Sequence, residues 1–146
     1  MPERAGGYAF TALDLVDVLA NHQIKEVLLP AKARGGYAKE MAALEKDLDA
    51  RLAKAPVKDP AGLLRLIALN AQANLMVWRL KDRMREEPRR YSPLLEKALE
   101  VNVLKNAAGN SILRRFGELT PARARVDFLH PPGRRRWYSR LAARLP

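Results

Sequence analysis

The chain has 146 residues, 48% of them apolar, no cysteine and a net charge of +11. This is long enough for one domain with a hydrophobic core, and the lack of cysteine excludes disulfides, thiolate metal sites and a cysteine nucleophile. "MPERAGGYAF" lacks the apolar run of a secretory leader, and no apolar stretch reaches the roughly 18 residues that span a bilayer, so a soluble cytoplasmic protein is expected.

In chain order, helical periodicity dominates. Thr11 is placed to cap "TALDLVDVLANHQIKEVLL", in which Leu13, Val16, Leu19 and Ala20 recur at helical spacing until Pro30 interrupts. Gly35 and Gly36 predict a break before a second, charged helix, "YAKEMAALEKDLDARLAKA", with Met41, Leu44, Leu48 and Leu52 as its apolar stripe. "PVKDP" reads as a linker. Asp59 caps and Pro60 opens the most apolar helix, "AGLLRLIALNAQANLMVWRLKDRMREE", which stops before Pro88. Ser92 and Pro93 repeat that device ahead of "LLEKALEVNVLKNAAGNSILRRF", and Gly117 supplies a stop. Turn-forming residues run from Thr120 to Gly133, and the basic amphipathic "RRRWYSRLAARL" closes the chain. No strand signal appears. The expected fold is all-α, an antiparallel bundle of about four main helices. Residues 1–120 form that bundle, and 121–146 a basic Arg-rich extension ending in a short helix or tail.

The charge is uneven. Residues 121–146 hold seven Arg against the single acid Asp127, so about a fifth of the chain carries more than half of the net charge. Such a field attracts polyanions: nucleic acid, anionic lipid or an acidic protein. A genome-wide preference for Arg is the bland explanation. Arg134, Arg135, Arg136, Arg140 and Arg144 stand among Trp137 and Tyr138, and arginine with aromatic rings suits phosphate contact and base stacking. As a helix, the same segment sets Trp137, Leu141 and Leu145 on one side. That pattern fits equally an interfacial membrane helix, docking on an acidic partner, or packing on its own bundle.

A second oddity lies inside the apolar helix. At about 100° per residue, Asn74, Trp78, Asp82 and Arg85 share roughly one quadrant. Leu63, Ile67, Asn70 and Ala71 extend that stripe backwards. On the next helix Asn102, Asn106 and Asn110 recur every four residues, where a solvated face would carry Glu, Lys or Arg instead. In a hairpin the two stripes are expected to face one another as a polar seam. One reading is an internal hydrogen-bond network that fixes register. The other is a ligand groove, with Trp78 as a stacking platform and Asn and Arg side chains as donors.

The pattern Asn-x3-Trp-x3-Asp-x2-Arg followed by Asn-x3-Asn resembles the bacterial helical family known as domain of unknown function 4254. The matching positions are Asn74, Trp78, Asp82, Arg85, Asn102 and Asn106, within about residues 60–117. Arg79 stands where that family usually has His, Lys81 where it has an acid, and Lys105 where it has Arg. "LRRFGE" replaces an acid near the end of the second helix. The resemblance implies a helical bundle with a polar seam. Members often lie beside glycosyltransferase genes, which implies an accessory role in envelope polysaccharide assembly.

Catalytic chemistry finds no foothold. His22 and His130 are the only histidines and neither has a neighbour at ligand spacing, so no metal is expected. His22 reads as a surface or capping residue. Ser92, Ser111 and Ser139 lack nucleophile-elbow surroundings, and no phosphate-cradling glycine loop is present, so no cofactor is expected. Glu45 and Asp49 share a helix face, but the alternating charge around them reads as a solvated surface. The expectation is a non-catalytic basic bundle that binds RNA or DNA backbone, on its own or as a small subunit of a larger complex. Arg83, Arg89, Arg90, Arg114 and Arg115, near the ends of the last two long helices, would join the tail in phosphate contact. The alternatives are an envelope accessory protein on an anionic membrane, a small-ligand domain, or an enzyme centred on Trp78, Asp82, Arg85 and Asn106.

Overall fold

The computed structural model describes residues 9–54, 56–127 and 137–146, with side-chain surroundings for all of these except 33, 34 and 137–139. The described residues form α1 (Ala12–Leu28), α2 (Ala31–Lys54), α3 (Pro60–Glu86), α4 (Tyr91–Arg115) and a short α5 (Trp137–Ala142). A 3-10 turn, Pro88–Arg90, joins α3 to α4, and no strand occurs among the described residues. The chain is all-α, as its periodicity predicts.

Each boundary has a local cause. Asp14 N–H donates to the Thr11 hydroxyl at 3.1 Å, and the Asp14 carboxylate accepts from Thr11 N–H at 2.8 Å, closing a capping box on α1. Leu29 is extended (φ −87, ψ 154), because the proline ring that follows clashes with a helical predecessor. At α3, Asp59 accepts from Gly62 N–H at 2.9 Å and Pro60 fills the first position, where no amide donor is missed. After α4, Gly117 takes φ 66. Its N–H reaches the Arg114 carbonyl at 3.1 Å, and Glu118 N–H reaches that of Leu113 at 2.8 Å. This is the paired-bond helix stop that a left-handed glycine allows.

Two expected boundaries move. Gly35 and Gly36 do not break α2, which starts at Ala31 and runs through both. Continuing a helix costs about 1 kcal/mol per glycine, whereas nucleating a new one fixes a whole turn for a single bond. Ser92 does not cap α4. The 3-10 turn hands over directly at Tyr91, so Ser92 and Pro93 lie inside the first turn, where a missing N–H is harmless.

The hairpin of α3 and α4 is the spine. Leu63 and Leu66 at the start of α3 share a core with Ala108, Ile112 and Leu113 near the end of α4, while Leu80 shares one with Leu94 and Val101. The pair is therefore antiparallel. Leu66 and Ile112 are fully buried, and truncating such a side chain to Ala typically costs about 2–5 kcal/mol. Helix α1 lies along both, with Leu13 in the first cluster. Among the described helices, α2 packs on α1 alone, and α5 packs on α4. Leu145, just past α5, closes over the first cluster. The described end of the chain is thus docked on its own bundle.

Two clamps hold the ends of the hairpin. Glu87 accepts from Arg83 Nε at 3.0 Å and from Arg90 Nη1 at 2.8 Å across the turn. Asp59 accepts from Arg115 Nη2 at 3.2 Å at the opposite end. The two arginines hold the Glu87 carboxyl below its ordinary pKa. Asp59 is held low first by Gly62 N–H and then, against opposing desolvation, by Arg115.

A lowered folded pKa means stability that is complete above the ordinary carboxylate value and lost as pH falls through the folded one. The melting temperature is therefore expected to drop below about pH 4, and Glu87→Gln to show a smaller drop than wild type in scans across pH. A Cβ on Gly62 would sit 2.1 Å from the Asp59 carboxylate and 2.8 Å from Arg115 Nη2. Gly62→Ala is expected to cost about 1–2 kcal/mol, the worth of an N-cap, read as a lower urea midpoint.

Candidate nucleic-acid interface

The asparagines of α4 have found a partner other than α3. Asn110 grips the backbone of Arg125 twice: its Nδ2 donates to the carbonyl at 2.9 Å, and its Oδ1 accepts from the N–H at 2.7 Å. Asn106 Nδ2 donates to Asp127 at 2.6 Å. Residues 121–127 therefore lie as a strap along α4. The Arg125 side chain then reaches α1, with Nη2 at 3.3 Å from Asp14 and 3.4 Å from Asp17. Asp17 in turn accepts from Asn70 Nδ2 on α3 at 2.8 Å. One polar chain thus ties strap, α1, α3 and α4. Gly109 lets α1 approach α4 closely beside this chain, since a Cβ there would meet Leu13 Cδ2 at 3.0 Å.

The expected seam is divided. Asn70 and Asn74 are buried, and Asn102 is exposed. Among the described residues no hydrogen bond joins the α3 stripe to the α4 asparagines. The physical reason is angular: the faces that α3 and α4 turn to each other carry Leu66, Ala73 and Leu80 against Val101, Ala108 and Ile112. Asn70 Oδ1, in this network, and Asn74 Nδ2, one turn further along α3, have no hydrogen-bond partner among the described residues, a cost of about 1–3 kcal/mol each in a dry site.

Trp78, Asp82 and Arg85 do come together, at the turn end of the hairpin. With Lys81, Met84 and Tyr91 they line a cleft of about 520 Å³. Arg85 Nη2 donates to Asp82 at 2.5 Å. Trp78 is 38% exposed and Tyr91 51%. Tyr91 was not legible as a cleft residue, because its place depends on the short turn folding α4 back on α3.

The cations divide into two sets. Arg83, Arg90 and Arg115 are occupied by the clamps, Arg51 by Glu118 and the Phe10 carbonyl, and Arg125 by Asp14 and Asp17. Arg89, Arg114, Arg140 and Arg144 are exposed and have no acidic partner among the described residues. Arg65, Arg79 and Lys81 on α3 are exposed in the same way and extend the set beyond the sequence reading. Arg134, Arg135, Arg136 and His130 lie outside the described residues, as do the side chains of Trp137 and Tyr138, although both belong to α5.

His22 is neither a surface nor a capping residue. Its Nε2 bonds Glu40 and its ring meets Tyr37 edge-on at 5.2 Å, with Lys25 Nζ 5.4 Å from the same tyrosine ring. It is a contact between α1 and α2. Glu45 and Asp49 are exposed. Among the described residues, no group of three or more His, Asp or Glu is placed to hold a metal ion, and no helix is long and apolar enough to cross a membrane.

Asn110→Ala removes both strap bonds and is expected to destabilise by about 1–3 kcal/mol. Limited trypsinolysis provides the direct reading: cleavage after Arg123 or Arg125 should precede cleavage in the helices, and do so faster than in wild type.

No family model matches this chain, and the comparisons with curated proteins and with solved structures also return no match.

Proposed function

We propose that the chain is a non-catalytic helical-bundle protein that binds the phosphate backbone of nucleic acid, as a small subunit of a larger complex. The observation that carries this reading is the fate of the charges. Asp14, Asp17, Asp59, Glu87 and Glu118 are engaged in internal ties with arginines. Arg65, Arg79, Arg89, Arg114, Arg140 and Arg144 are left to solvent on a chain of net charge +11. Guanidinium groups of this kind pair with phosphate oxygens, and the binding they give is largely indifferent to sequence.

The membrane reading draws on a different observation. Leu64, Leu75 and Trp78 are exposed along the outer side of α3, near Arg65, Arg79 and Lys81. An apolar strip edged by cations suits an anionic lipid surface, and this reading also draws on the sequence resemblance to a helical family whose members often lie beside glycosyltransferase genes.

Fluorescence anisotropy of labelled RNA and DNA oligonucleotides separates the two. Binding is expected to weaken steeply with salt, and the double substitution Arg89→Ala, Arg114→Ala to lower the slope of log affinity against log salt by about two. Charge substitution is the right probe here, because a cut at residue 120 would also remove the strap and Leu145. Absence of binding at low salt, with co-sedimentation on anionic vesicles, would replace this reading by the membrane one.

A further inference from the structure

The cleft at the hairpin turn does more than continue a basic surface. It brings two aromatic side chains from different helices, Trp78 of α3 and Tyr91 of α4, into one lining with Lys81 and Arg85. Neither ring is needed to fill a core: Trp78 is 38% exposed and Tyr91 51%, and neither belongs to the buried clusters. Two partly exposed rings converging in one cleft make a contiguous apolar patch, the kind of surface that marks an interaction site. The volume, about 520 Å³, falls within the range of roughly 300–1,000 Å³ typical of small-molecule sites.

We propose that this cleft takes an unpaired base of single-stranded nucleic acid, stacked on Trp78 and Tyr91, with its phosphate held by Lys81 and Arg85. The proposal rests on the nucleic-acid reading above and adds the class of strand. A flat π-face is what an aromatic platform recognises, and in a duplex those faces are hidden by neighbouring bases. The charges of the lining agree. Lys81 is exposed with no acidic partner among the described residues, and the Arg85 side chain is 81% exposed although tied to Asp82, so either can turn to a phosphate. Asp82 is the one acid in the lining. Its carboxylate repels phosphate and accepts N–H donors, so it turns the edge of the base inward and the backbone outward, toward Lys81.

The test is anisotropy with the full chain against a labelled oligo-dT, an oligo-U and a blunt DNA duplex of about 20 units each, the length of a few single-strand binding sites. Trp78→Ala is expected to weaken both single strands about five- to a hundredfold, the range that stacking contributions imply, and to leave duplex binding within about twofold. Trp78→Phe keeps a ring and should retain most of the affinity. Tyr91→Ala should act in the same direction as Trp78→Ala, with circular dichroism showing an unchanged fold. Wild-type binding that Trp78→Ala leaves intact, or weakens equally for single strand and duplex, overturns the base site while the phosphate reading stands. No binding of wild type to any of the three at low salt overturns both. Loss of vesicle binding by Trp78→Ala, with single-strand binding unaffected, assigns the cleft to lipid and overturns the proposal.

Discussion

The first amide groups of α1 point out of the helix and need acceptors, and the one that matters most is Glu118. Its carboxylate accepts from Ala12 N–H at 2.7 Å and also holds Arg51 of α2, whose guanidinium reaches on to the Phe10 carbonyl. A carboxylate at a helix N-terminus is favoured both by the free N–H groups and by the helix dipole. Here it joins three helices at one point. Glu118 is in position only because Gly117 turns the chain at the end of α4. The strap begins directly beyond that turn, so the placing of α1, of α2 and of residues 121–127 all follows from how α4 stops.

The same junction explains the electrostatics. A strongly positive chain repels itself when compact, and this one sets several of its acids against arginines. Asp14 and Asp17 answer Arg125, Asp59 answers Arg115, and Glu87 answers two arginines. Each pair is partly solvated and individually weak, yet each spans two segments that are distant in sequence or flank a turn. The outer faces of α3 and α4 and the described part of the tail are left positive by default.

Much of the fold was legible because its signals are local. Thr11 with Asp14, Asp59 with Pro60, and Gly117 each act within four residues, and each marks the boundary expected of it. Gly35 and Gly36 misled because propensity is a per-residue cost, and a helix already begun at Ala31 can bear it. The candidate site was legible in part. The four-residue spacing of Asn106 and Asn110 marked a polar contact, but an asparagine serves a backbone as readily as a side chain, and the sequence cannot say which strand of chain will arrive. Arg125, among several arginines of the tail, carries no local sign that it turns inward. Asp17 likewise looks like any surface acid until α3 brings Asn70 beside it.

Helix α2 has a further consequence. Among the residues of α2 whose surroundings are described, only Leu44 is buried, and α1 is its sole helical neighbour among the described helices. Burial of one leucine contributes about 1.5–3 kcal/mol, well below the global stability of an ordinary domain. Beyond Leu44, α2 is held by the His22–Glu40 and Arg51–Glu118 contacts, so it is expected to open more readily than the α3–α4 hairpin. In amide hydrogen exchange it is expected to form a faster layer of the molecule than the hairpin. Any partner that covers the exposed side of α2 acts chiefly by slowing that opening.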